Sequence, residues 1–327
     1  MPSDLIRDEL YQKVLLEPAK LDVNNLYIVS GYASSAMAFH HAESLKAINS
    51  NVFVHLIVGM VGKDGLSVAN HRAFQKLMNH DLSGRFECSY LIERPAVHSK
   101  VYAWTDNSKS VSGFTGSANY SQQAFIGNRQ REIITNCNPM DAFDYYQHLI
   151  GDTIYCTDKG AEELIALNGG TRVYSPSLSS KSVKTELPIQ KQSAENLLHI
   201  KCSFINRSRE VSQSSGLNWG QREGREPNQA YIPLTVEICS GDFFPPRATH
   251  FTVNTDDEQI MICTRAQDNG KAIHTPHNNS IIGKYFRKRL GVPLGEPVKM
   301  EHLLKYGRTD IDFYKIDDEN YYMDFSV

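Results

Sequence analysis

The first half of the chain alternates short apolar runs with segments of helical periodicity. The run at 26–30 (Leu-Tyr-Ile-Val-Ser) predicts a buried strand, and 36–48 predicts the helix that follows it. A second strand is expected at 52–58, a second helix at 68–78 and a third strand at 86–92. This rhythm implies a sheet covered by helices. It then changes. Segments 98–104 and 110–115 predict a hairpin across the polar turn 105–109, followed by a strand at 132–135 and a helix at 140–150.

Residues 169–196 lose this periodicity. Ser, Lys, Gly and Pro dominate there, which predicts an exposed linker. Beyond it the pattern is mostly β, with strands expected at 198–205, 231–238, 250–254, 259–264, 311–316 and 321–325, and a short helix at 281–290. Two polar segments, 206–230 and 266–280, interrupt them, and loops of that length are often functional. The expected organisation is an α/β domain over 1–168, a linker over 169–196 and a mostly-β domain over 197–327.

A length of 327 residues accommodates these two domains. No apolar run approaches the ~18 residues of a membrane span, since 52–61 is broken by His55 and Gly59. The first residues carry neither a basic nor an apolar leader pattern. The six cysteines are spaced singly, which suggests neither a zinc knuckle nor a disulfide framework. Reduced thiols in a cytoplasmic, bacterial protein are expected, with no membrane partner. The net charge of −3 argues against a polycation that coats nucleic acid, but its distribution is uneven. Residues 1–168 carry 14 Lys/Arg against 18 Asp/Glu, whereas 169–309 carry 19 against 13. A localised phosphate-binding surface in the second region is the expected consequence.

The chemistry concentrates in His98-Ser99-Lys100, then Gly116-Ser117-Ala118-Asn119, then Glu132. On strands, His98 and Lys100 share a face, as do Ser117 and Asn119. A hairpin brings the two sets together. An imidazole can attack phosphorus while an ammonium, an amide and a hydroxyl hold the non-bridging oxygens. Lys and Asn supply the electrostatics, so neither a metal nor another cofactor is required. The pair His40-His41 lacks the companions of a metal site and is expected at a helix surface or boundary. No Glu is followed two residues later by Lys, so the metal-dependent E-x-K nuclease signature is absent.

The order H-x-K, G-S-x-N and Glu resembles the phospholipase D superfamily. The resemblance implies His98 as nucleophile, Lys100 and Asn119 as phosphate ligands, Ser117 as a weaker ligand, and Glu132 as the group orienting the imidazole. Position 105, where that signature places Asp, is Thr. The superfamily builds one site from two H-x-K copies. The chain's other H-x-K, His199-Ile200-Lys201, precedes Ser215-Gly216-Leu217-Asn218, which reverses the Gly-Ser order, and no α/β unit comes before it. One true copy per chain implies a homodimer through the catalytic domain.

The segment 216–232 is rich in groups that read base edges. Trp219 offers an anchor, with Gln221, Arg222, Arg225, Asn228 and Gln229 around it. The second polar segment offers Gln267, Asn269, Lys271, Thr275, Asn278 and Asn279, and the basic Lys284, Arg287, Lys288 and Arg289 follow. The arrangement resembles a B3-like DNA-binding domain, whose two arms lie between its first and second and its fourth and fifth strands. The 218–231 run and the Phe-Phe-Pro-Pro-Arg run ending at Arg247 resemble NgoFVII-type (BfiI-like) restriction endonucleases. In these a phospholipase D-like nuclease domain, a mixed sheet flanked by helices, precedes a B3-like pseudobarrel. The resemblance implies a type II restriction endonuclease that hydrolyses DNA phosphodiesters at or near a specific double-stranded sequence. It implies metal-independent cleavage through a phosphohistidine, a cognate DNA methyltransferase in the same restriction-modification system, and leaves room for a companion ATPase. The competing readings are a sequence-specific DNA-binding regulator with an inactive nuclease domain, and a lipid phosphodiesterase of the same superfamily.

Overall fold

The apolar runs of the first half form the centre of an eight-stranded mixed sheet. The computed structural model describes residues 5–107, 109–127, 130–168, 197–276 and 278–327, so the linker expected at 169–196 lies outside the described residues. The chain packs as two compact units, 1–186 and 187–327. In the first unit the strands are β1 (Leu5–Ile6), β2 (Asn25–Ser30), β3 (Phe53–Val58), β4 (Leu66–Ser67), β5 (Phe86–Leu91), β6 (Lys100–Thr105), β7 (Ser110–Gly116), β8 (Ile134–Cys137), β9 (Thr153–Tyr155) and β10 (Leu167–Asn168). The large sheet has the order β1-β8-β7-β6-β2-β3-β5-β9, and β4 and β10 pair apart from it.

Strands β2, β3 and β5 are parallel, which requires crossovers. Helices Ser35–Ile48 and Val68–Lys76 lie in them. One sheet face buries Val29, Ile57, Leu91, Val101 and Ala103 with Ala142, Tyr146 and Leu149 of helix Pro139–Ile150. Alternate residues Leu26, Ile28, Leu56, Cys88, Tyr90, Tyr102 and Trp104 are buried as well. Burial on both faces explains why these strands read as continuous apolar runs rather than as alternation.

The expected hairpin is β6–β7, registered Val101↔Thr115. It begins two residues later than its pattern suggested. Lys100 pairs with Ser30, the last residue of β2, so no neighbouring strand extends far enough to ladder with His98. Likewise β8 begins at Ile134, and Glu132 precedes it.

The second unit contains β11 (Leu198–Ser203), β12 (Ile232–Pro233), β13 (His250–Thr255), β14 (Ile260–Ala266), β15 (Ala272–His274), β16 (Asp310–Lys315) and β17 (Asn320–Asp324). Their order is β11-β16-β17-β13-β14-β15-β12, and the end strands β11 and β12 approach each other. The result is a nearly closed, mostly-β barrel around Phe251, Val253, Cys263, Ile273, Phe286, Phe313 and Tyr321. Three expectations need correction. Only Ile232–Pro233 of 231–238 is strand, because the Thr235 hydroxyl caps a short helix, Val236–Ser240. Segment 206–230 is not one open loop, since Ile205 bridges Val211 and Gly216–Gln221 forms a 3₁₀ turn. The second polar segment contains β15.

Candidate active site and nucleic-acid interface

The H-x-K segment meets the carboxyl end of parallel strand β2, the usual ligand edge of an α/β sheet. There the chain runs Ser30-Gly31-Tyr32, and Gly31 forms the floor. A Cβ on Gly31 would lie 2.9 Å from Cδ2 of His98 and 3.4 Å from Nζ of Lys100, so a larger residue here would have to push the His98 ring aside. His98 is exposed, whereas Lys100 is 5% exposed. The Lys100 ammonium donates to the backbone oxygen of His98. Burial pushes its pKa below the ordinary lysine value, and the nearby Glu132 carboxylate opposes that shift.

Asn119 reaches the same floor from the far end of the hairpin. Its Oδ1 accepts from the Tyr32 N–H at 3.1 Å. Because a backbone N–H can only donate, the amide is oriented with its NH₂ turned away from this anchor. The segment carrying Asn119 is bolted down on both sides. The Tyr102 hydroxyl donates to the Ala118 carbonyl at 2.7 Å. The Tyr120 N–H donates to the Ser30 hydroxyl at 2.9 Å. Tyr120 OH also meets Nδ1 of His41 at 2.8 Å, and Nε2 of His41 faces the Leu15 carbonyl at 2.9 Å. That carbonyl requires a proton on Nε2, so Nδ1 accepts from the tyrosine. His41 is therefore a fully buried brace, not the surface or boundary residue expected, and burial pushes its pKa down to about 4.

Glu132 does not contact the His98 imidazole as expected. It accepts from the Ser117 hydroxyl, which also accepts from the Ile133 N–H at 3.1 Å. The cause is register. Gly116 pairs with Ile134, so Ser117 and Glu132 leave adjacent antiparallel strands at the same end. His98, Lys100 and Asn119 thus converge on Gly31, while Ser117 and Glu132 form a second pair beside Lys100. Sequence reasoning missed Ser30, Gly31 and Tyr32. Their available signal was a polar-glycine step directly after a buried strand. Among the described residues no group of three or more His, Cys, Asp or Glu side chains could hold a metal ion. His199 and Lys201 face Asp312 and Asp310 across β11–β16, with His199 Nε2 2.7 Å from Asp312 Oδ1.

In the second unit the base-reading candidates fall into two groups. Some are spent on the fold. Gln221 donates to the Pro227 and Gly295 carbonyls, both at 3.0 Å. The Asn228 amide donates to Glu226 and accepts from the Gly295 N–H at 2.7 Å. The Thr275 hydroxyl, 2% exposed, donates to the Asn278 carbonyl. Asn278 Oδ1 accepts from the Ser280 N–H at the start of helix Ser280–Leu290. Asn279 is half-buried, and its Oδ1 has no partner among the described residues. Arg287 and Arg289 are not phosphate ligands. Arg287 is fully buried and donates to the carbonyls of Pro227, Asn228, Gly283 and Glu296. Arg289 is bidentate to Asp256.

The others present themselves to solvent. The Arg225 guanidinium lies 3.9 Å from the Trp219 ring centroid, a cation–π contact, and donates to Gln229 Oε1 at 3.3 Å. Arg222 keeps one donor on the Ser214 carbonyl but is exposed. Arg247, Lys271 and Lys284 are exposed. Gln267 and Asn269, also exposed, sit at φ +63 and +59 on the turn between β14 and β15. Such strained conformations persist only where the surroundings impose them. Here Arg265, 7% exposed, holds the turn from below through the Gly270 carbonyl.

Residues 8–163 match the model of the NgoFVII restriction endonuclease N-terminal PLD domain. Residues 192–317 match the model of the NgoFVII C-terminal B3-like DNA-binding domain. Among solved structures the chain is similar to NucT from Helicobacter pylori, at 17% identity, covering 46% of this chain and 96% of that one with a TM-score of 0.33. It is also similar to Nuc from Salmonella typhimurium, a phospholipase D family member, at 18% identity, covering 46% and 93% with a TM-score of 0.34. No curated protein matches the chain.

Proposed function

Since the chain belongs to the NgoFVII restriction endonuclease family, with a phospholipase D-type nuclease domain followed by a B3-like DNA-binding domain, we propose that it cleaves double-stranded DNA at or near a specific sequence, without a metal ion, through a phosphohistidine formed on one chain at a site shared between two chains. The observation that carries this reading is the convergence of His98, Lys100 and Asn119 on Gly31 at one sheet edge. One His98 attacks phosphorus, forming an N–P bond as the bond to the leaving oxygen breaks. The second chain's copy of the same residue protonates that oxygen. It then takes a proton from water, which attacks phosphorus and breaks the N–P bond. Lys100 and the NH₂ of Asn119 hold the non-bridging oxygens. Glu132 favours the charged form of Lys100 against its burial. Arg225 on its Trp219 platform, Gln229, Gln267, Asn269 and Lys271 read bases, and Lys284 contacts phosphate.

Digestion of plasmid DNA in EDTA tests the reading. Wild-type protein is expected to cut at a defined position, and His98→Ala to bind the same site without cutting. Cutting that is abolished by EDTA and restored by Mg²⁺ would remove the metal-independent mechanism. Specific binding with no cutting under either condition would favour a DNA-binding regulator.

A further inference from the structure

We propose that Tyr32 and Asp64 act as a positioning pair that fixes the imidazole of His98, an inference that rests on reading His98 as the nucleophile. Neither ring nitrogen of His98 has a hydrogen-bond partner among the described residues, and the side chain is exposed. An unheld imidazole samples several rotamers, and few of them aim a nitrogen at a phosphorus above Lys100. What the ring does touch is Tyr32. The two ring centroids are 5.6 Å apart at an interplanar angle of 77°, edge to face. Gly31 closes the Cδ2 side from below.

Tyr32 is itself held at both ends although it is 43% exposed. Its N–H donates to Asn119 Oδ1 and its carbonyl accepts from the Ser30 hydroxyl at 2.6 Å. At the tip, its hydroxyl donates to Asp64 Oδ2 at 2.5 Å, a bond that raises the tyrosine pKa. Asp64 ends the short helix Val61–Asp64, and the preceding Met60 N–H donates to the Gly31 carbonyl. The floor of the site and the anchor of the tyrosine therefore belong to one hydrogen-bonded unit. An exposed tyrosine with a surface partner is ordinary. One clamped at backbone and tip, with its ring against an otherwise unrestrained nucleophile, sets that nucleophile's direction.

The test uses full-length protein in two measurements. The first is single-turnover cleavage of supercoiled plasmid, with KM measured separately. The second is the histidine ring resonances in ¹H–¹³C spectra, with His98 identified by its loss in His98→Ala. Tyr32→Phe and Asp64→Ala should each slow cleavage about tenfold at saturating DNA with KM little changed. The double variant should be no slower than either single one, because both remove the same bond. Asp64→Asn should stay near wild type, since its amide oxygen still accepts. The His98 resonances should shift or broaden in Tyr32→Phe and Asp64→Ala but not in Asp64→Asn. Wild-type rates in Tyr32→Phe, losses that add in the double variant, or a change confined to KM would overturn the proposal, the last pointing to a DNA contact instead. If wild-type protein cuts nothing, the nucleophile assignment fails. The spectra then still decide whether Tyr32 and Asp64 hold the ring.

Discussion

Lys100 shows how a single residue's chemistry depends on neighbours that its motif does not name. Lys100 is buried, which lowers its pKa, and the Glu132 charge opposes the loss of its proton. Removing that charge while keeping the hydrogen bond to Ser117 should lower the lysine pKa further. In Glu132→Gln, the alkaline limb of the cleavage rate should therefore move to lower pH, because the ammonium proposed to hold the phosphate is lost earlier. A pH series of single-turnover rates measures this, and an unmoved alkaline limb would contradict it. That His98, Lys100 and Asn119 come together was legible because each belongs to a spaced motif. The partner of Glu132 was not legible. Whether it meets Ser117 or His98 depends on the Gly116↔Ile134 register, which the pattern of apolar residues leaves open. His41 was misplaced for a related reason. Its burial follows from Leu15 and Tyr120, which are remote in sequence.

At the scale of elements, the strands that carry apolar runs were readable to within a few residues, because burial on both faces leaves an unbroken signal. The arms were not. Asn and Gln side chains satisfy the backbone of irregular segments with the same donors and acceptors that read bases, so composition cannot separate the two uses. Asn228 and Gln221 tie the first arm to itself and to Gly295. Gly283 admits the arm so closely that a Cβ there would lie 1.7 Å from the Asn228 carbonyl oxygen. The first arm is thus a rigid presentation of Trp219 and Arg225. Loss of Arg225, through Arg225→Ala, should weaken cognate binding selectively, by ~1–3 kcal/mol if the contact is bidentate. Lys284→Ala should weaken all sequences alike and reduce the salt slope by ~0.9. Binding series on cognate and scrambled duplexes at several salt concentrations separate the two. Equal losses on both duplexes for Arg225→Ala would mean the arm only grips the backbone.

For the whole molecule, the regional charge excess overstated the phosphate-binding surface, because Arg265, Arg287, Arg289 and Arg308 spend their guanidinium groups on carbonyls and carboxylates inside the second unit. The count of catalytic motifs carries further. Each chain holds one H-x-K that converges with G-S-x-N, and its second H-x-K is tied to Asp310 and Asp312. A reaction that needs one imidazole to attack and another to protonate then requires two chains. Wild-type and His98→Ala chains co-expressed so that they pair at random provide the test. If both copies of His98 serve one site, mixed dimers are inactive. A fixed amount of wild-type chain should then lose about half its cutting at an equal amount of variant, and about three quarters at a threefold excess, by random pairing in a two-fold dimer. With DNA in excess, a rate that does not change as variant chains are added would show that each chain cuts alone.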